Sequence, residues 1–128
     1  MKAGATDWVA LLGRLLMSAL FIQAGFVKAT TPSATMAMFS KWGVPMVGAA
    51  YALTLVVELG GGLALLAGFR ARVVALVLAL WCVITALKVH YHPADPAQVI
   101  QFLKNLCMAG GLLQLVAHGP GRFALSRG

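Results

Sequence analysis

The sequence predicts an all-α integral membrane four-helix bundle with up-down-up-down topology, and three observations predict it. Of its 128 residues, 61% are apolar and 10% are charged, whereas a soluble domain is about a quarter charged. The apolar residues gather into four segments, 8–27, 46–67, 71–89 and 98–117. Each is close to the ~20 residues needed to cross a hydrocarbon core about 30 Å thick. Six of the ten basic residues fall outside these segments, where they anchor helix ends. The length fits one four-span domain over 1–128, with the lipid bilayer as its surroundings. This composition excludes a disordered chain and an ordinary cytosolic enzyme. The net charge of +7 is spread without any basic run or basic-aromatic patch, which excludes nucleic acid as a partner.

The first segment holds a single formal charge, Arg14. It is longer than a signal-peptide core and no small-x-small cleavage site follows, so it is read as an uncleaved span. The connection 28–45 places Met36, Phe39 and Trp42 at helical spacing, which predicts a short interfacial helix. The second segment again holds one charge, Glu58. Gly68 to Arg70 forms a tight turn, making spans two and three antiparallel neighbours. The third carries Arg72 and Lys88 near its ends, and Pro93 and Pro96 then stop and restart the helix. The fourth holds Lys104 beside Asn105.

Helices in lipid associate through small residues and polar contacts. Gly60, Ala64 and Gly68 repeat on span two, and Ala71, Ala75 and Ala79 on span three, which predicts packing seams and a homo-oligomer. The polar residues also fall in stripes. Arg14, Ser18, Phe21, Gly25 and Lys28 share one face of span one. Tyr51, Thr54, Glu58 and Gly61 share a face of span two, and Gln101, Lys104 and Met108 a side of span four. At a rise of about 1.5 Å per residue, Glu58 falls between Arg14 and Lys104 in depth, about 6 Å from each along the axis. The expectation is an Arg14–Glu58–Lys104 cluster facing one interior cavity. Gln23, Thr54, Gln101 and Asn105 extend its set of polar partners as candidate ligand-binding residues. Charged groups inside a membrane are costly and default to functional candidates. A buried ion-pair network that fixes helix register is the plain alternative.

Other signals are weaker. Cys82 and Cys107 fall at similar depths but form no Cys-x-x-Cys pair, and they read as small apolar residues. His90, His92 and Asp95 have zinc-like ligand types without the spacing of an assured site, so no metal is expected. Lys2, Arg70, Arg72, Arg122 and Arg127 flank one face and Lys28, Lys41 and Lys88 the other, which predicts cytoplasmic termini in an inner membrane.

Gly13-Arg14-Leu15-Leu16, followed by Phe21, Ala24-Gly25 and Lys28, resembles the first span of DoxX-type membrane proteins. Gly43-Val44-Pro45 is similar to that family's entry to its second span. Val57-Glu58-Leu59-Gly60-Gly61-Gly62 with Gly68 is similar to its Glu-Gly-Gly motif, and Phe102 to Leu106 with Gly110-Gly111-Leu112 to its last span. The resemblance implies a four-helix inner-membrane protein in which Arg14, Glu58, Lys104 and Asn105 matter most. Some members are associated with quinone-linked sulfur oxidation, as the membrane subunit of a thiosulfate:quinone oxidoreductase, and others with redox-stress complexes.

Three functions follow as expectations. The first is a redox-associated membrane subunit, accessory to a quinone-linked oxidoreductase, with no intrinsic cofactor, a quinone as ligand and a redox enzyme as partner. Arg14, Glu58 and Lys104 would then carry the chemistry, Glu58 relaying a proton. The second is a small proton-coupled transporter of an anionic substrate. The third is a non-catalytic membrane scaffold whose charges only lock the helices together.

Overall fold

The computed structural model describes residues 4–126. Four long apolar helices cross the molecule, with one short helix between the first two. They are α1 (Ala5–Thr30), α2 (Pro32–Lys41), α3 (Val47–Ala67), α4 (Ala71–Val89) and α5 (Pro96–His118). Each expected apolar segment lies almost wholly within one long helix. The interfacial helix is α2, started by a proline at its first position, where a missing N–H costs nothing. Its Thr35 and Phe39 are buried and Phe39 stacks with Trp42, ring centroids 6.0 Å apart.

Local chemistry sets the helix ends. Gly68 adopts φ +75° after α3, the left-handed conformation that glycine reaches without strain. Asp95 caps α5 by accepting from the Ala97 N–H at 3.0 Å, and Pro96 follows it. Within α3, residues Val56–Gly60 form a π-helical turn. This widened turn holds Glu58 and lies outside what hydropathy patterning records.

The helices pack in the order α1, α3, α4, α5, with α2 under the start of α3. The α4–α5 contact is the most extensive, and it absorbs Ala71, Ala75 and Ala79, all buried in the core with Leu78, Cys82, Ala109 and Leu112. The span-three seam therefore serves packing inside the chain. On α3 the close approach uses Gly62, which is buried against Phe21 and Ile22, while Gly60 faces open space. The seam expected at Gly60 is thus displaced, because the helix turns Gly61 and Gly62 toward its neighbours. A Cβ on Gly61 would lie 3.0 Å from Leu78 Cδ2.

After α5 the chain folds back as a strap. Leu125 N–H donates to Ala67 O at 3.1 Å and Ser126 N–H to Gly68 O at 3.2 Å. Arg122 N–H donates to Asp7 Oδ1 at 3.1 Å, and Phe123 stacks on Trp8 with centroids 4.6 Å apart. The strap joins the start of α1 to the α3–α4 turn.

Candidate functional site

The site begins with the face of α1 that the polar spacing predicted. Arg14, Ser18, Phe21 and Gly25 are its buried residues, and Lys28 continues the stripe. Gly25 and Gly62 let α1 and α3 approach closely, which fixes their antiparallel register. A Cβ on Gly25 would lie 3.1 Å from the Leu59 backbone nitrogen, and one on Gly62 3.1 Å from that of Ile22. By this pairing Glu58 lies level with Phe26, within a turn of Lys28. Arg14 lies level with the α3–α4 turn.

Glu58 accordingly pairs with Lys28. Lys28 Nζ donates to Glu58 Oε1 at 2.7 Å, and Trp81 Nε1 on α4 donates to Oε2 at 3.2 Å. Both carboxylate oxygens are engaged and the residue is 8% exposed. Tyr51 Oη donates to Lys28 O at 2.9 Å, which ties the start of α3 to the end of α1.

A cavity of about 320 Å³ opens beside this pair, within the range of small-molecule sites. Its walls are mostly apolar (Phe39 and Trp42 from α2, Leu53 and Ala50 from α3, Ile84 from α4). Lys28, Thr54, Glu58, Trp81, Thr85, Lys88 and His90 supply the polar groups. Leu53 and Ile84 line the cavity and are also exposed on the helix surfaces that face lipid. The cavity thus has a side opening at the surface between α3 and α4. The Thr54 hydroxyl donates to Ala50 O at 2.8 Å, leaving its oxygen lone pairs toward other donors.

The expected Arg14–Glu58–Lys104 cluster does not form. Arg14 is 1% exposed and its guanidinium donates to Leu65 O, Leu66 O and Phe123 O. It caps the carbonyl end of α3 and holds the strap, a cation placed where the helix dipole is negative. The physical reason is the register above, which puts about 18 Å between Arg14 and Glu58 along the axis. Lys104 is exposed on α5, a helix that packs on α4 and contributes nothing to the cavity wall. Gln101 is exposed as well, and Asn105 Nδ2 donates to Gln101 O within the same helix. Gln23 is exposed on another side of α1, beside Ile22, Phe26 and Leu59. Only Thr54 and Glu58 of the expected residues meet at the cavity.

His90, His92 and Asp95 do not converge. His90 Nδ1 lies 2.8 Å from Gln98 Oε1, and Asp95 is occupied as a helix cap. Among the described residues no three His, Cys, Asp or Glu side chains gather as metal ligands. Cys82 is buried, Cys107 is exposed, and neither is in a disulfide. The reading of the sequence missed Lys28, Trp81 and Lys88 as site residues. Lys28 was signalled by its place on the Arg14 stripe. Trp81 had no signal, because an indole in an apolar span reads as bulk.

The chain matches the DoxX family model over residues 9–91, α1 through α4. It is 39% identical to the inner membrane protein YqjF of Escherichia coli (strain K12), an alignment covering 91% of this chain and 88% of that protein. It is 29% identical to the inner membrane protein YphA of the same organism, over 91% of this chain and 87% of the relative. These alignments extend into α5, beyond the family model. No solved structure matches. With the family model covering well over half of its length, the chain belongs to the DoxX family of membrane proteins.

Proposed function

We propose that the cavity beside Glu58 receives the oxygen-bearing head of a quinone-class lipid, in an accessory membrane subunit of a quinone-linked redox system. The chain would lie in an inner membrane with both termini cytoplasmic, so that the cavity faces the opposite side. The observation that carries this reading is the side opening between Leu53 and Ile84, beside a buried carboxylate. A ligand that diffuses in the bilayer enters there without crossing an aqueous face. Lys28 and Lys88 offer N–H donors to carbonyl oxygens, and Thr54 and Glu58 offer acceptors to hydroxyl groups. A quinone supplies the redox chemistry when bound, and a partner enzyme supplies the electrons. Glu58, bridged to Lys28, holds or releases a proton at its carboxylate.

The test uses the full chain in lipid nanodiscs with Trp8 and Trp42 replaced by Phe, so that Trp81 is the only tryptophan, and excites it at a wavelength that tyrosine does not absorb. Added ubiquinone with a short tail should quench Trp81 saturably, and Glu58→Gln should weaken that binding about tenfold. Quenching that rises linearly with quinone, as in empty nanodiscs with a tryptophan peptide, would defeat the reading.

A proton-coupled transporter of an anion is the second reading, favoured by Lys88 in the cavity beside an ion pair whose acid is already neutralised. Liposome uptake of an anion driven by a pH gradient separates it from the first. If both assays are silent and Glu58 variants lose only stability, the scaffold role stands.

A further inference from the structure

The surface of α5 away from α4 divides into two faces. Leu103, Leu106 and Leu113 form an apolar face suited to lipid. Beside it Gln101, Lys104, Cys107, Gly111, Gln114 and His118 form a polar stripe, and every one of these six is exposed. The stripe's spacing averages close to 3.5 residues, the repeat that keeps one helix seam against a partner helix. Its lower half borders a groove of about 370 Å³ between α1 and α5. The two helices barely meet there, Met17 lying against Gly111, and Gly13 is open. Arg14 lines the groove, and its buried Nε has no hydrogen-bond partner.

Lys104 decides what covers this stripe. It stands eight residues into α5, about 12 Å below the end of the helix, with no ion-pair partner among the described residues. A cation at that depth calls for a carboxylate in reach. This chain has none to give from a second copy. Its three acids are Asp7, Glu58 and Asp95, which bond respectively to the strap, to Lys28 and to the α5 cap. The net charge of +7 also opposes pairing two copies along a basic stripe.

We propose that the polar stripe of α5 and the adjoining α1–α5 groove dock one transmembrane helix of another protein, whose intramembrane Asp or Glu pairs with Lys104. The inference does not rest on the proposed ligand of the Glu58 cavity, which lies on the other side of α4.

The test reconstitutes the full chain in phosphatidylcholine vesicles with dansyl-labelled 23-residue Leu/Ala peptides, using the protein's tryptophans as energy-transfer donors. One peptide carries a single Glu about 12 Å from one end, and the other carries Gln there. The Glu peptide should associate about fivefold to tenfold more tightly. Lys104→Leu should abolish the preference and Lys104→Arg should keep it. Both variants should keep the helical circular dichroism and the detergent unfolding curve of the unaltered chain, which shows that they fold. Equal association of the two peptides overturns the proposal in favour of Lys104 reaching headgroups along its own stem. Efficient Cys107-to-Cys107 cross-linking between copies overturns it in favour of self-association.

Discussion

Lys28 and Glu58 are unequal partners, and their exposures predict unequal costs of losing them. The side chain of Lys28 is 25% exposed and that of Glu58 10%. Lys28 sits near the end of α1, so after Glu58→Gln its ammonium can swing toward the headgroups. After Lys28→Met the Glu58 carboxylate stays buried with only Trp81 as donor. Lys28→Met should therefore cost about 3 kcal/mol, the lower part of the range for an orphaned buried charge. Glu58→Gln should cost less, and the double variant should recover part of the loss. Unfolding of the four proteins in detergent measures all three terms, and additive single costs would show that the pair is not coupled. Arg14 behaves differently because its partners are carbonyls. Arg14→Met removes donors from Leu65 O, Leu66 O and Phe123 O, at about 1.5 kcal/mol for each charge-assisted bond. Stability should fall by about 3 kcal/mol or more. Quinone affinity at the Glu58 cavity should stay put, whereas a parallel fall in affinity would place Arg14 back in the site.

At the scale of elements, α1 and α3 are held in register by two glycines. A Cβ on Gly62 would lie 2.9 Å from Ile22 Cγ1 and 3.2 Å from Phe21 Cβ, with backbone close behind. Gly62→Ala should then destabilise by about 1–3 kcal/mol through overpacking. Gly60→Ala, two residues earlier and facing open space, should be neutral or stabilise by up to about 1 kcal/mol through helix propensity. Equal effects of the two in thermal unfolding would remove the register argument. These glycines also mark where the sequence stopped being legible. Apolar runs set the four spans, and three-four spacing identified the buried face of α1 from Arg14 to Lys28. The helix that follows α1, α2, was legible from Met36, Phe39 and Trp42. What the spacing does not carry is the axial offset between two helices, since that depends on which small residues touch. Depths measured from segment ends put Glu58 beside Arg14, whereas the contacts of Gly25 and Gly62 put it beside Lys28. The π-turn at Val56–Gly60 is illegible for a related reason. It adds a residue to one turn without altering the hydropathy around it. Such turns recur at functional positions, and this one carries the buried carboxylate.

For the whole molecule, the charges at its two ends bear directly on which way it faces. Arg70, Arg72 and Arg122 lie at the end where the strap closes. Lys2 and Arg127 belong to that end by sequence and lie outside the described residues. Lys28, Lys41 and Lys88 lie at the cavity end. Short loops rich in Lys and Arg stay in the cytoplasm during insertion, and five basic residues oppose three. The strap adds a second consideration, because it locks the basic α3–α4 turn to the start of α1. Arg70, Arg72 and Arg122 are thus held on one face once the chain has folded. The expected orientation has cytoplasmic termini and an outward cavity. In cells, alkaline phosphatase fused after Gly128 should be inactive, and green fluorescent protein fused there should glow. The cavity end gives an independent reading. In a Cys107→Ser background, an impermeant maleimide should label Lys88→Cys in intact spheroplasts and label Arg72→Cys only after lysis. Labelling in the reverse order would turn the molecule over, and with it the side on which the Glu58 cavity lies.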